Sequence, residues 1–176
     1  MNTTIDIRHA ATPDAAPLAE FAARCFRETY AAVNDPADMV LHLERTFGLR
    51  QQTAEIADPS GACLLALNDA VIVGYAVIKS GAAHPSVAGP HPYEVRRFYV
   101  DHAWHGRGVA GALMMAARAE AAARGAATLW LSAWEHNPRA LGFYSKQGFR
   151  DVGVSTFTLG HARQTDRVLA LDLGAA

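Results

Sequence analysis

Apolar and polar residues along this chain follow two alternating periods. Ile5 and Ile7 alternate with polar neighbours, as on a first strand. Thr12-Pro13-Asp14 is a helix-start signal, with a capping hydroxyl followed by a proline whose missing N–H costs nothing there. Leu18, Phe21, Ala22, Cys25, Phe26 and Tyr30 then recur at helical spacing. Asp35-Pro36 opens a second helix with Met39, Val40, Leu43 and Phe47 as its apolar face. Ala62–Leu67, Asn68-Asp69 and Ala70–Ile78 read as a hairpin. A Gly-, Pro-, Ser- and His-rich loop fills Gly81–Pro92. A strand follows over Tyr93–Val100, a helix over Val109–Arg124 ended by Gly125, and a strand over Thr128–Trp134. A helix begins at Asn137-Pro138 and closes at Gly148, and Ser155–Gly160 with Arg167–Leu173 alternate as a final hairpin. The βαβ unit at 93–134 makes the fold class α/β or α+β around a mixed sheet.

Composition narrows the function. The 176 residues, 51% hydrophobic, suit a single domain spanning 1–176 with a full core. A net charge of −1 with 19% charged residues gives no basic stripe for nucleic acid and no electrostatic membrane docking. No apolar run is long enough to span a bilayer, and the N-terminus carries no basic-then-apolar leader, so a cytoplasmic protein is expected. Cys25 and Cys63 sit in apolar segments and read as buried free thiols. His84, His91, His102, His105 and His136 are scattered without ligand spacing, so no metal is expected.

The chemistry concentrates in two segments. In the first, the strand ending at Val100 leads through a short loop to Gly106 and Gly108 and then to an Ala-rich helix. Glycines let backbone approach a ligand, and the free N–H groups of a helix start suit phosphate. Gly106-x-Gly108-x-x-Gly111 formally matches a dinucleotide fingerprint. However, Asp101–His105 separate strand from glycine, and no acidic residue closes the next strand at the required distance. Glycines that merely make a tight turn remain the alternative. The second segment, Asn137–Phe149, again follows a strand. Asn137 reads as an N-cap, Phe143 as core and Lys146 as a solvated cation within reach of a phosphate. Tyr144 is a mediocre helix former and a possible proton donor.

Together, His105-x-x-Gly108-x-Ala110 and Asn137-x-x-Ala140-x-x-Phe143-Tyr144-x-x-x-Gly148-Phe149 resemble motifs A and B of the GNAT family of acetyl-CoA-dependent N-acetyltransferases. His105 stands where motif A usually has Gln or Arg. Ile7–Ala11, Phe26–Tyr30, Val73-Gly74-Tyr75, Trp130–Glu135, Phe157-x-x-Gly160 and Gln164-Thr165-Asp166 extend the resemblance over nearly the whole chain, toward the PaiA-like branch associated with spermidine and spermine. It implies a single GNAT-type domain with a mixed, mostly antiparallel sheet flanked by helices and a splayed strand pair holding the CoA arm. Phe98, Tyr99 and Val100 would offer backbone to the pantetheine, and an N–H near Tyr99 or Val100 would polarise the thioester carbonyl. The amides of His105, Gly106, Arg107, Gly108, Val109, Ala110 and Gly111 would hold the pyrophosphate, and Asn137 and Lys146 would touch pantetheine or phosphates. Tyr144 would be the general acid.

For the proton acceptor, Glu94 comes first, on the same side of its strand as Arg96 and Phe98 by period two. An ordinary rim carboxylate paired with Arg96 is the alternative, Glu135 is the second choice, and water chains can replace either. Acetyl-CoA is the implied acetyl donor and a small amine the acceptor; GNAT enzymes are often dimers, so a homodimer is one reading of the assembly, but nothing in the sequence marks an interface. A polyamine would use Glu28, Asp35, Asp38 and Glu44, which otherwise read as solvated helix faces with Asp35 as N-cap. A protein N-terminal acetyltransferase and a catalytically silent acyl-CoA-binding sensor are the competing functions.

Overall fold

The computed structural model describes residues 4–174. Seven strands form one sheet in the order β1-β2-β3-β4-β5-β7-β6. They are β1 (Asp6–His9), β2 (Gly61–Asn68), β3 (Val71–Ser80), β4 (Pro92–Val100), β5 (Thr128–Trp134), β6 (Arg150–Leu159) and β7 (Ala162–Asp172). Every neighbouring pair is antiparallel except β4–β5, the two strands joined by a crossover helix.

Five helices cover the two faces: α1 (Ala15–Tyr30), α2 (Pro36–Phe47), α3 (Leu49–Ala57), α4 (Val109–Ala123) and α5 (Pro138–Lys146). On one face, Leu113, Met114, Ala117 and Ala121 of α4 and Tyr144 of α5 pack on Ala76, Ile78, Val95, Leu129 and Leu131. On the other, Leu18, Phe21, Phe26, Met39, Leu43 and Phe47 of α1 and α2 pack on Leu65, Tyr75 and Val77. A central sheet buried on both sides explains why β2 and β3 read as nearly continuous apolar runs.

Several local expectations change. Thr12 caps nothing. Instead, the Asp14 carboxylate accepts the Ala11 N–H at 2.7 Å and the Arg8 guanidinium at 2.7 and 2.8 Å. Asp35 does cap α2, accepting from the Ala37 N–H. Val40, expected on the buried face of α2, is exposed. The β2–β3 turn is centred on Asp69 and Ala70, both left-handed at φ 46° and 68°. Helix α3 and the start of β6 were not expected at all. Cys25 and Cys63 are buried and unpaired, and burial pushes both thiols up to about 12. No helix of the described residues is long and apolar enough to cross a membrane, and no group of three metal-ligating side chains occurs among them.

Candidate active site

Strand β4 pairs with β3 from Tyr93 to Val100, apart from a bulge, but with β5 only from Pro92↔Thr128 to Glu94↔Trp130. Beyond Glu94 the parallel strands part, and the β5-facing edge of residues 95–100 has no strand partner. The register of β3 against β4 also slips here. Val77 opposes Arg97 while Ile78 opposes Val95, so Arg96 is the extra residue of a bulge. The bulge resets the alternation of side chains. Tyr93, Val95, Phe98 and Val100 pack toward α4 and α5, whereas Arg97 and Tyr99 pack toward α1–α3. Glu94 therefore shares a face with Arg97, not with Phe98. Strict period two from Glu94 through Arg96 to Phe98 fails because one residue is inserted.

A cavity of about 410 Å³ fills the gap between the parted strands. Phe98, Tyr99 and Val100 line it from β4, and Ser132 and Ala133 from β5. Asn137, Ala140, Phe143 and Tyr144 close it from α5, and His105, Gly106, Gly108, Ala110 and Gly111 form its mouth. Gly106 and Gly108 are left-handed at φ 74° and 83°, and Gly108 is the N-cap of α4. A Cβ on Gly106, Gly108 or Gly111 would meet nothing within 4 Å, so the mouth has space to spare. The first helical bond runs from the Ala112 N–H to the Gly108 carbonyl at 3.0 Å. The N–H groups of Val109, Ala110 and Gly111 thus lack helical acceptors and, with the helix dipole, suit a diphosphate. The Val109 side chain is buried in the core and contributes only backbone. Arg107 stacks over the Trp104 ring at 5.4 Å.

His105 spans the mouth. Its Nε2 lies 3.0 Å from the Val100 carbonyl and its Nδ1 2.7 Å from Arg139 Nη1. Since the guanidinium can only donate, Nδ1 accepts, and the ring is neutral with its proton on Nε2. Burial, then the Arg139 charge, holds its pKa below the usual value. The Asn137 carboxamide caps α5 by accepting the Ala140 N–H at 3.2 Å. Arg139 also lines the cavity. Its cationic chemistry stands in the second segment at the start of α5, whereas Lys146, the cation expected to reach a phosphate, is exposed and does not line the cavity.

Tyr144 is 8% exposed, wedged edge-on between Phe98, Phe143 and Phe149. Burial raises its pKa further, so the phenol keeps its proton at neutral pH. Glu94 is half-buried, and burial raises its carboxyl pKa against the opposing pull of Arg96, Arg97 and Lys79. It makes no ion pair within 4 Å among the described residues, so the alternative of a rim carboxylate paired with Arg96 is not realised, and it does not line the 410 Å³ cavity. Glu135 also lies outside that cavity, 3.7 Å from His136.

The sequence reading gave Asp166 no chemical role. It is 9% exposed on β7, opposite Trp134, and burial raises its pKa against the lowering influence of the nearby Ser132 hydroxyl. Ser132 lines the cavity, whereas Asp166 does not. Only register could have brought Asp166 to Ser132, since 34 residues of chain separate them.

A second cavity of about 310 Å³ adjoins the first through Thr29, Tyr99, Val100, His105, Asn137 and Arg139, and Glu28 lines it. The α1–α2 connection is tied to the β6–β7 hairpin above it. Gln164 donates to Asn34 Oδ1 at 2.6 Å, and the Asp38 carboxylate accepts the His161 N–H at 3.0 Å. A Cβ on Gly160 would run into that carboxylate.

The sequence pattern of the Acetyltransferase (GNAT) family matches residues 18–149. An uncharacterized N-acetyltransferase of Mycobacterium bovis is 33% identical over 160 residues, 91% of this chain and 98% of that protein. The PaiA N-acetyltransferase of Thermoplasma acidophilum, solved in complex with coenzyme A, has the same fold with a TM-score of 0.77 over 96% of this chain and 99% of its own, at 19% identity. A protein of Salmonella typhimurium solved with acetyl-CoA gives 0.70 over 99% and 96%, also at 19% identity. The matched span holds both the β4–α4 and the β5–α5 segments around the cavity, and the similarity to the mycobacterial relative continues through almost the whole chain: it belongs to the GNAT family of acetyltransferases.

Proposed function

We propose that this protein transfers the acetyl group of acetyl-CoA to a primary amine. The observation that carries the reading is the unpaired edge of β4, which leads directly into the left-handed glycines at the start of α4. The free edge offers backbone donors and acceptors to the amide groups of a pantetheine arm, and the N–H groups of Val109–Gly111 receive the pyrophosphate. Arg139, already at the mouth, adds positive charge there. The solved relatives from Thermoplasma and Salmonella, which carry coenzyme A and acetyl-CoA, support the choice of cofactor.

Acetyl-CoA, when bound, supplies an acyl carbon activated by its thioester. A backbone N–H of residues 98–100 polarises the thioester carbonyl. The incoming amine loses a proton, the new C–N bond forms, the C–S bond breaks, and the thiolate takes a proton from the Tyr144 phenol. Tyr144 suits that step because burial keeps its phenol protonated and able to donate to the departing sulfur, and the phenolate regains its proton from solvent before the next turnover. Glu94 takes the amine proton, directly or through water. It lies on the α1–α3 side of β4 next to the bulge, and its raised pKa brings it closer to the working range of a general base. Asp166, near Ser132 of the cavity wall, is the rival for that role because it too is a buried carboxylate with a raised pKa.

The resemblance to the PaiA-like branch suggests a polyamine acceptor. Of the four carboxylates considered for a polycation, Glu28 lines the second cavity. Asp35 is occupied as a cap, Asp38 holds the β6–β7 turn, and Glu44 lines neither of the two cavities. A panel of amines assayed by release of free CoA thiol tests the proposal. Turnover with at least one primary amine is expected. Tight acetyl-CoA binding with no thiol release from any amine would contradict it and favour a sensor.

A further inference from the structure

We infer that the amine acceptor carries an oxyanion, a carboxylate or a phosphate, at its far end, and that a third cavity beside the β4 bulge receives it. This rests on the acetyl-transfer reading and names the substrate class for the same site. The cavity has a volume of about 390 Å³ and lies on the α1–α3 face, between the end of α2, α3 and the adjoining ends of β2, β3 and β4. Its charged lining is Arg45, Glu55, Asp58, Lys79, Arg96 and Arg97.

Four of these groups form two pairs, although Glu55 Oε2 stays buried without a donor. Lys79 Nζ sits 2.6 Å from Asp58, and Arg97 Nη2 sits 3.3 Å from Glu55 with the guanidinium over the Phe47 ring. Arg45 and Arg96 are left over, with no carboxylate within 4 Å among the described residues. Even counting Glu94, the cross-strand neighbour of Lys79, four cations face three carboxylates. Arg97 Nε is also buried with no acceptor. An unmade bond of this kind costs stability, and an oxyanion in the cavity would supply the missing acceptor.

Arg96 links this chamber to the reaction site. The bulge leaves it without a β3 partner, and it lines both the 390 Å³ cavity and the cleft where β4 and β5 part. An amine positioned in the cleft therefore has a guanidinium at its tail. The same surplus of positive charge opposes a polyamine, because like charges brought together in a binding site cost affinity.

The test measures kcat and KM by CoA release at saturating acetyl-CoA. The acceptors are 4-aminobutyrate, O-phosphoethanolamine, n-butylamine and spermidine, assayed with the native protein, Arg96→Gln and Arg45→Gln. Charge-assisted bonds make about a tenfold preference in kcat/KM for an anionic amine over butylamine the expected result. Each variant is expected to raise KM for that amine several-fold, with a smaller effect on kcat, so that the preference collapses. The carboxylate and phosphate arms decide which oxyanion is meant. Butylamine or spermidine used as well as either anionic amine, or a preference that survives both substitutions, overturns the inference alone. No CoA release with any amine overturns the acetyl-transfer reading and this inference with it.

Discussion

Strand β4 has two halves that differ in their neighbours. Tyr93 and Glu94 are paired on both sides, to β3 and to β5. Residues 95–100 keep β3 but lose β5, and at the same point a bulge at Arg96 turns the strand. An unpaired strand edge is normally a liability that proteins cover. Here it lies inside the sheet rather than at its rim, with Tyr144 and Phe143 over one side and Tyr30 and Thr29 near the other, so no second protein strand can reach it. The paired half holds the two arms of the sheet together. The unpaired half keeps donors and acceptors available for a ligand that can enter as an extended chain.

The largest effect is expected from closing the mouth of the unpaired half. Gly108 is a poor place to do this, because at φ 83° any side chain strains the backbone. Gly111 has no such conformation and has open space around its missing Cβ. Gly111→Glu puts a negative charge where the pyrophosphate lies, and a like-charge clash of several kcal/mol lowers acetyl-CoA affinity by about a hundredfold or more. Calorimetry reads the loss, with circular dichroism to show the fold intact. Unchanged affinity would remove the cradle from the account.

Next comes the chemistry held by the unpaired half. Tyr144→Phe keeps the ring that Phe98, Phe143 and Phe149 pack against and removes the phenol. kcat is expected to fall by roughly 10²–10⁴ with the acetyl-CoA dissociation constant little changed. A fall under about threefold would mean that the thiolate leaves without this donor.

Glu94 sits at the junction of the two halves. A general base must be ionised, so activity rises with pH through its pKa, and burial moves that acid limb upward from the ordinary carboxylate range. Glu94→Gln should lower the rate and abolish that limb, leaving a rate that recovers at high pH as free amine becomes abundant. A profile that keeps its shape in Glu94→Gln but loses the limb in Asp166→Asn would transfer the role to Asp166.

The smallest effect belongs to the continuous half of the sheet. Ala70 in the β2–β3 turn is left-handed at φ 68°. Ala70→Gly should relieve that strain and leave the protein about 0.5 kcal/mol more stable in urea unfolding, with acetyl-CoA affinity unchanged. A loss of stability would show that the turn is not strained.

The parts of the molecule that were legible in sequence are those whose signals are local. The helical spacing of Leu18–Tyr30, the glycines before Val109 and the Asn-Pro start at 137 carry their own geometry, and each appears where expected. Helix α3 was not legible because its packing reverses the usual pattern: Leu49 is exposed and Gln52 is fully buried, bonded to the Thr46 carbonyl. The first half of β6 is an edge with polar and exposed residues, including Val152 and Val154, so alternation gives no sign of it. The bulge at Arg96 is invisible in composition, yet it decides which face Glu94 and Phe98 occupy. Asp166 reaches Ser132 only through the register of β5 against β7, a long-range fact that no local window contains.

The central claim is that the cofactor arm takes the place of the missing strand beside residues 95–100. Residue-resolved hydrogen exchange with and without acetyl-CoA tests it most directly. The account predicts slowed exchange at β4 amides after Glu94 that face the gap and at Val109, Ala110 and Gly111, with no change at the doubly paired residues Tyr93 and Glu94. Protection elsewhere on the surface, with these amides exchanging as fast as in the free protein, would contradict it.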